Sequence, residues 1–133
     1  MPYLIKPVKE QRCLCLSCEG EMHPRDLALM GYEARREAAA RRWRRILVDI
    51  TQLRTSLTPP QLLDVAEILS GQPPRRGRLA FLVRRDHARQ AGWAAHVARR
   101  SGLCLAYFRD AGKAARWMGP TRAPARRQLD PVV

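Results

Sequence analysis

At 133 residues, 46% of them apolar and with a formal net charge of +13, the chain is long enough for one real core, too short for two, and too apolar for wholesale disorder. No run approaches the roughly 18 apolar residues that a spanning helix needs. The start, Met1-Pro2-Tyr3-Leu4, lacks the basic opening and long apolar centre of a signal peptide, so a soluble cytoplasmic protein is expected.

Tyr3 to Pro7 reads as a short first strand, placed at an edge by its flanking prolines. After a polar turn at Lys9, Glu10 and Gln11, the segment Arg12 to Cys18 alternates Cys13 and Cys15 with Leu14 and Leu16. That spacing predicts the second strand of an antiparallel hairpin, ended by Glu19-Gly20-Glu21. Pro24 suits the first turn of a helix, with Asp26 favourable to its dipole. Leu27, Met30, Gly31, Ala34 and Ala38 share one face of that helix, which runs to about Arg42. Trp43-Arg44-Arg45 is a junction, and Ile46 to Ile50 is the clearest central strand.

Leu53 to Leu57 is expected to be a loop. Thr58-Pro59-Pro60-Gln61 is a capping box, with threonine as cap and proline at the first helical position. Leu62, Val65, Ala66 and Leu69 mark the buried face of this second helix. A solvated connection, Gly71 to Gly77, leads to the strand Arg78 to Val83. Asp86 is assigned as N-cap of a third helix, in which Ala91, Ala94, Ala95 and Ala98 recur at helical spacing. Gly102 ends that helix, and Leu103 to Phe108 is a buried strand. Asp110 caps a last helix with Ala111, Ala114, Ala115 and Met118 facing inward. From Gly119 onward prolines and arginines without apolar periodicity predict a flexible tail over 119–133. The order β-β-α-β-α-β-α-β-α predicts a single α/β domain over 1–118. Its sheet is mixed and five-stranded, four of the strands largely parallel and joined by right-handed crossovers.

This order, together with particular residues, resembles the SpoIIAA-like family, a relative of the STAS domain (sulphate transporter and anti-sigma-factor antagonist). The residues concerned are Glu19-Gly20-Glu21 with Asp26, the Ile46-to-Asp49 strand, Arg78-Leu79-Ala80-Phe81-Leu82-Val83, and Tyr107-Phe108 followed by Ala114-Ala115-Arg116-Trp117-Met118. The match spans Tyr3 to Met118. It implies an STAS-like α/β fold, one also likened to lipid-carrying Sec14 domains, in a bacterial family whose members mostly have no assigned activity. The resemblance is incomplete at one place. STAS regulators carry a phosphorylatable serine in an Asp-Ser-Ser-Gly-like motif after the central strand, where this chain has Arg54-Thr55-Ser56-Leu57-Thr58. Ser56 and Thr58 fall at a helix N-terminus that would stabilise a phosphate, but Thr58 already has a sufficient role as N-cap.

Among residues with chemical potential, Cys13, Cys15, Cys18 and His23 are the densest group. Cys15-x-x-Cys18 and His23 supply three ligands of a zinc knuckle, but the fourth position is Ala28, and Cys104 substitutes only if its strand comes near. Alternating Cys and Leu is read instead as a strand burying both faces, and no metal or cofactor is assigned. His23, His87 and His96 form no evident pairing. Asp49 ends a central strand at the usual ligand-binding edge of an open α/β sheet, where its simpler role is to hydrogen-bond the following loop. Phosphate-loop and dinucleotide signatures are missing, and no enzyme is expected.

Trp93 and Val97 lie off the alanine stripe, so the third helix has a wide apolar surface. With Leu63 and Ile68 of the preceding helix it predicts an apolar groove or a dimer contact. The expected function is a non-enzymatic, STAS-like binding or regulatory module for a partner protein or a small apolar, lipid-like ligand. Its site residues are Asp49, Ser56, Thr58, Leu63, Trp93 and Val97. The charge motivates an alternative, an accessory protein binding nucleic acid or anionic surfaces through Arg41, Arg42, Arg44, Arg45, Arg75 and Arg76. Scattered arginines and few aromatics argue against nucleic acid as the partner.

Overall fold

A computed structural model describes residues 2–55, 57–71 and 77–119 of the chain. It contains five strands, β1 (Tyr3–Val8), β2 (Cys13–Gly20), β3 (Arg45–Leu53), β4 (Arg78–Leu82) and β5 (Leu105–Phe108), and four α-helices, α1 (Pro24–Arg41), α2 (Pro59–Ser70), α3 (Ala88–Arg100) and α4 (Ala111–Met118). Residues 72–76 of the expected solvated connection Gly71 to Gly77, and the expected flexible tail beyond Gly119, lie outside the described residues.

The strands lie in the order β1-β2-β3-β4-β5 in one sheet. The β1–β2 pair is an antiparallel hairpin, and β2 through β5 are parallel. Because the parallel strands follow one another in sequence order, crossovers of one hand carry α1, α2 and α3 to the same face. The main core forms there. Leu14 and Leu16 of β2, Val48 and Ile50 of β3 and Phe81 of β4 meet Leu27 and Met30 of α1, Leu62 and Val65 of α2, and the alanines of α3. Among the described residues the opposite face is covered by α4 alone, over Cys13 and Ala80.

Local chemistry explains most element ends. Pro7 is tolerated in β1 because β1 is an edge. Arg12 turns the hairpin in the left-handed region at φ 48°. The carboxylate of Asp26 accepts from the His23 N–H at 3.1 Å to open α1. Arg42, also left-handed at φ 59°, closes it, with the Trp43 N–H reaching the Ala38 carbonyl. Asp110 Oδ1 accepts from the Gly112 N–H at 2.8 Å to start α4.

Several expectations are corrected. β3 continues past Ile50 to Leu53, because a bulge between Ser17 and Glu19 lets the end of β2 keep pairing with it. Leu53 is therefore strand, and the following loop is shorter. β5 begins at Leu105 rather than Leu103. Asp86 does not cap α3; it sits in a 3-10 turn over Arg85–His87, and α3 starts at Ala88. In α4 only Ala114 and Met118 are buried, while Ala111 and Ala115 are exposed. Two turns of helix touch the sheet along an i, i+4 line, with Trp117 half-buried beside it.

Candidate functional site

The C-terminal edge of the parallel strands gathers Asp49, Thr51, Arg84, Asp86 and His87. Asp49 Oδ1 accepts from the Thr51 N–H at 2.9 Å and from the Thr51 hydroxyl at 2.6 Å. Asp49 is expected to end its strand and bond the following loop; its bonds go instead to Thr51, two residues on and still within β3. Arg84 Nη1 donates to the Thr51 carbonyl at 3.4 Å, and Arg84 Nε donates to Asp86 Oδ1 at 3.3 Å. His87 is 8% exposed, with Nε2 3.1 Å from Arg84 Nη2 and 3.7 Å from Asp86 Oδ2. Its Nδ1 has no hydrogen-bond partner among the described residues. With Arg84 beside its Nε2 and Asp86 a little farther off, this histidine sits at the entrance to α3. Sequence reading missed the group; the run Arg84-Arg85-Asp86-His87 directly after a strand was the available signal.

From this edge the chain passes to α2. Thr58 Oγ1 accepts from the Gln61 N–H at 3.3 Å, and Gln61 Oε1 accepts from the Thr58 N–H at 2.8 Å, completing the expected capping box. Ser56 lies outside the described residues. α2 sits between α1 and α3 and packs on both. Ile68 is turned towards α1, where it meets Gly31, and does not join Leu63. At 100° per residue, Leu63 lies about 140° around α2 from Ile68, on the flank towards α3. Leu63 and Val97 are half-buried, and Trp93 is 49% exposed on α3. A cleft of about 260 Å³ lies between α1 and α2, lined by Leu27, Ala28, Asp64, Glu67 and Ile68.

The arginines named for anion binding divide by environment. Arg41 pairs with Glu37 at 3.0 Å and stacks over Trp43. Arg45 is half-buried, with Nε donating to the Met118 carbonyl at 3.2 Å and Nη1 to the Gln11 carbonyl at 3.1 Å. Arg42 and Arg44 are exposed, and Arg75 and Arg76 lie outside the described residues. Arg44 shares a cleft of about 260 Å³ with Arg35, Arg78, Trp43 and Cys104, at the end of the sheet away from Asp49.

The cysteines do not converge on His23. Cys13 and Cys15 project to the α4 side of the sheet, and Cys18, paired with Tyr3, projects into the helix-covered core with Sγ 3.4 Å from Met30 Sδ. Cys104 is exposed just before β5, at the other side of the sheet. Among the described residues no three His, Cys, Asp or Glu side chains are grouped to hold a metal. Burial, with the charge of Asp49 adding to it, pushes the Cys18 thiol up to about 12. The Cys13 hydrogen bond draws the Cys15 thiol down to about 7, against the effect of burial and with help from Lys6. The same hydrogen bond, together with burial, raises Cys13.

No family model matches the chain, and no curated protein sequence matches it. Among solved structures, it is similar to an uncharacterised protein of the DUF3478 family with a SpoIIAA-like fold from Shewanella loihica PV-4. The TM-score is 0.57 at 19% identity, covering 87% of this chain and 93% of that one. The chain has a SpoIIAA-like, STAS-like α/β fold, in agreement with the resemblance in its sequence. Among the described residues no helix is long and apolar enough to cross a membrane.

Proposed function

We propose that the chain is a non-enzymatic, STAS-like binding or regulatory module that docks a partner protein across the flanks of α2 and α3. The observation that carries this reading is Trp93. A tryptophan left 49% exposed on a helix is a large apolar, stackable surface of the kind that anchors interfaces. Leu63 of α2 and Val97 of α3, both half-buried, are the apolar residues this reading puts beside it. Thr58 stands at the N-terminal end of α2, where docking would be felt by the cap. The SpoIIAA-like fold is consistent with this class of role, and the hydrogen bonds at Asp49 and His87 are accounted for without catalysis.

The test is a photo-crosslinking amino acid placed at position 93, with position 113 on α4 as control, in cells producing the full chain. Protein-sized adducts specific to position 93, lost on combining the probe with Leu63→Asp, support docking there. Equal adducts from both positions, or none, overturn it. Native mass spectrometry of the untagged protein separates the other occupants. A co-purifying lipid-sized mass would assign the flank to a small apolar ligand, and a doubled subunit mass would assign it to a second copy.

A second reading rests on Arg35, Arg44 and Arg78 lining one cleft in a chain of charge +13. It makes the molecule an accessory binder of nucleic acid or another polyanion. Failure to bind duplex DNA at about 150 mM salt ends the nucleic-acid form of that reading.

A further inference from the structure

The sheet face beneath α4 brings together three sulfur atoms that the sequence keeps far apart. Cys13 and Cys15 both project to this face of β2, and Cys15 packs against the cluster that holds Cys13 and Met118. Met118, the last residue of α4, places its Sδ 4.0 Å from Cys13 Sγ. Ala80, Ala114, Leu47, Phe108 and Trp117 form an apolar wall around them.

Three sulfur ligands arranged trigonally at about 2.3 Å from one ion lie about 4.0 Å from each other, since the separation is √3 times the bond length. The Cys13–Met118 separation already meets that spacing. Two thiolates and a thioether in an apolar shell are a soft donor set, which selects Cu(I) over hard cations. Cu(I) takes both cysteines as thiolates, any thiol proton still present going to solvent, which leaves a centre of charge −1. Arg45 is the cross-strand partner of Cys13 and Lys6 that of Cys15, so both thiolates have a positive neighbour. Arg45 Nε also donates to the Met118 carbonyl at 3.2 Å, so one side chain offsets the charge and fixes the backbone of the third ligand. Cys15 is half-buried, whereas Cys13 and Met118 are buried, so an ion would enter past Cys15. Cys18 provides an internal comparison, because it faces the other core and meets one thioether alone.

We propose that Cys13, Cys15 and Met118 form a three-coordinate Cu(I) site between β2 and the end of α4. The test is anaerobic titration of the reduced, untagged full chain with Cu(I), in competition with the chromophoric chelator bicinchoninate. The wild-type chain should withdraw one equivalent per chain. Cys15→Ser should weaken retention by about 100-fold or more, and Met118→Leu by about 10-fold, both remaining folded by circular dichroism. Cys18→Ser and Cys104→Ser should leave it unchanged. Copper-edge X-ray absorption of the loaded protein should show three sulfur neighbours at about 2.3 Å. No withdrawal of copper, retention that survives Cys15→Ser, or two sulfur neighbours with no effect of Met118→Leu would each overturn the site.

Discussion

Gly31 of α1 and Ile68 of α2 meet so closely that a Cβ at position 31 would lie 2.8 Å from Ile68 Cγ2 and 3.2 Å from Ile68 Cβ. The atoms in the way belong to a β-branched side chain with little rotameric freedom in a helix. This contact sets how near α2 approaches α1, and through α2 it influences where the flank bearing Leu63 stands against α3.

Gly31→Ala should therefore destabilise the fold, although alanine is the better helix former. Overpacking costs about 1–3 kcal/mol, against about 1 kcal/mol gained in helix propensity. Urea unfolding should show a net loss of about 1 kcal/mol. Adding Ile68→Ala should cost less in the Gly31→Ala background than in the wild type, and strictly additive losses would refute the contact.

The helix faces were legible because apolar spacing reports burial directly: every residue assigned to the buried faces of α1 and α2 is buried there. Strand ends were less legible. Thr51 and Gln52 are polar, and β3 runs through them only because bulged β2 continues alongside. The start of α3 was misplaced because Asp86 has the composition of a cap but pairs with Arg84 and His87 in a 3-10 turn. The sulfur group was invisible for a different reason. Spacing gave α4 an inward face, but nothing local says that this face lies over Cys13, 105 residues earlier.

Thr58→Ala removes the side-chain acceptor for the Gln61 N–H and should cost about 1 kcal/mol. Thr58→Asp should keep most of that stability, since aspartate caps as well and favours the helix dipole. Thermal unfolding of the two variants checks this. Equal losses in both would mean that the hydroxyl does something other than capping.

The hydroxyl of Tyr3 donates to the Glu33 carboxylate, and this bond, with some desolvation, pushes the phenol up from 10 to about 12. Between those values the unfolded chain has lost a proton that the native one keeps, so stability falls as pH rises from about 10 towards 12. Cys18, also raised, contributes the same sign from its ordinary value of 9 upward. Tyr3→Phe should cost about 1–2 kcal/mol at neutral pH through the lost charge-assisted bond and should make the alkaline decline shallower. An unchanged alkaline slope in Tyr3→Phe would show that the phenol is not titrating there.

Cys15 should be the pH-sensitive nucleophile of its strand. The Cys13 hydrogen bond holds its pKa at about 7, so the thiolate fraction rises from about one tenth at pH 6 to about nine tenths at pH 8. Cys13 is buried and raised, and Cys18 is buried with its thiol near 12, so neither should react in that window. In a Cys104→Ser background, iodoacetamide should add one label per chain, at Cys15, with a rate profile centred near pH 7. Folding and ionisation are linked here: the unfolded thiol, at its ordinary value of 9, binds a proton that native Cys15 has lost. Stability should consequently rise between about pH 7 and 9 until the raised groups reverse the trend. Cys13→Ala removes the hydrogen bond, and Lys6→Ala removes the nearby charge. Each should move the labelling midpoint upward, Cys13→Ala by more, because the hydrogen bond is the larger cause. A wild-type midpoint near pH 9, or one indifferent to Cys13, would mean that the two thiols do not act on each other.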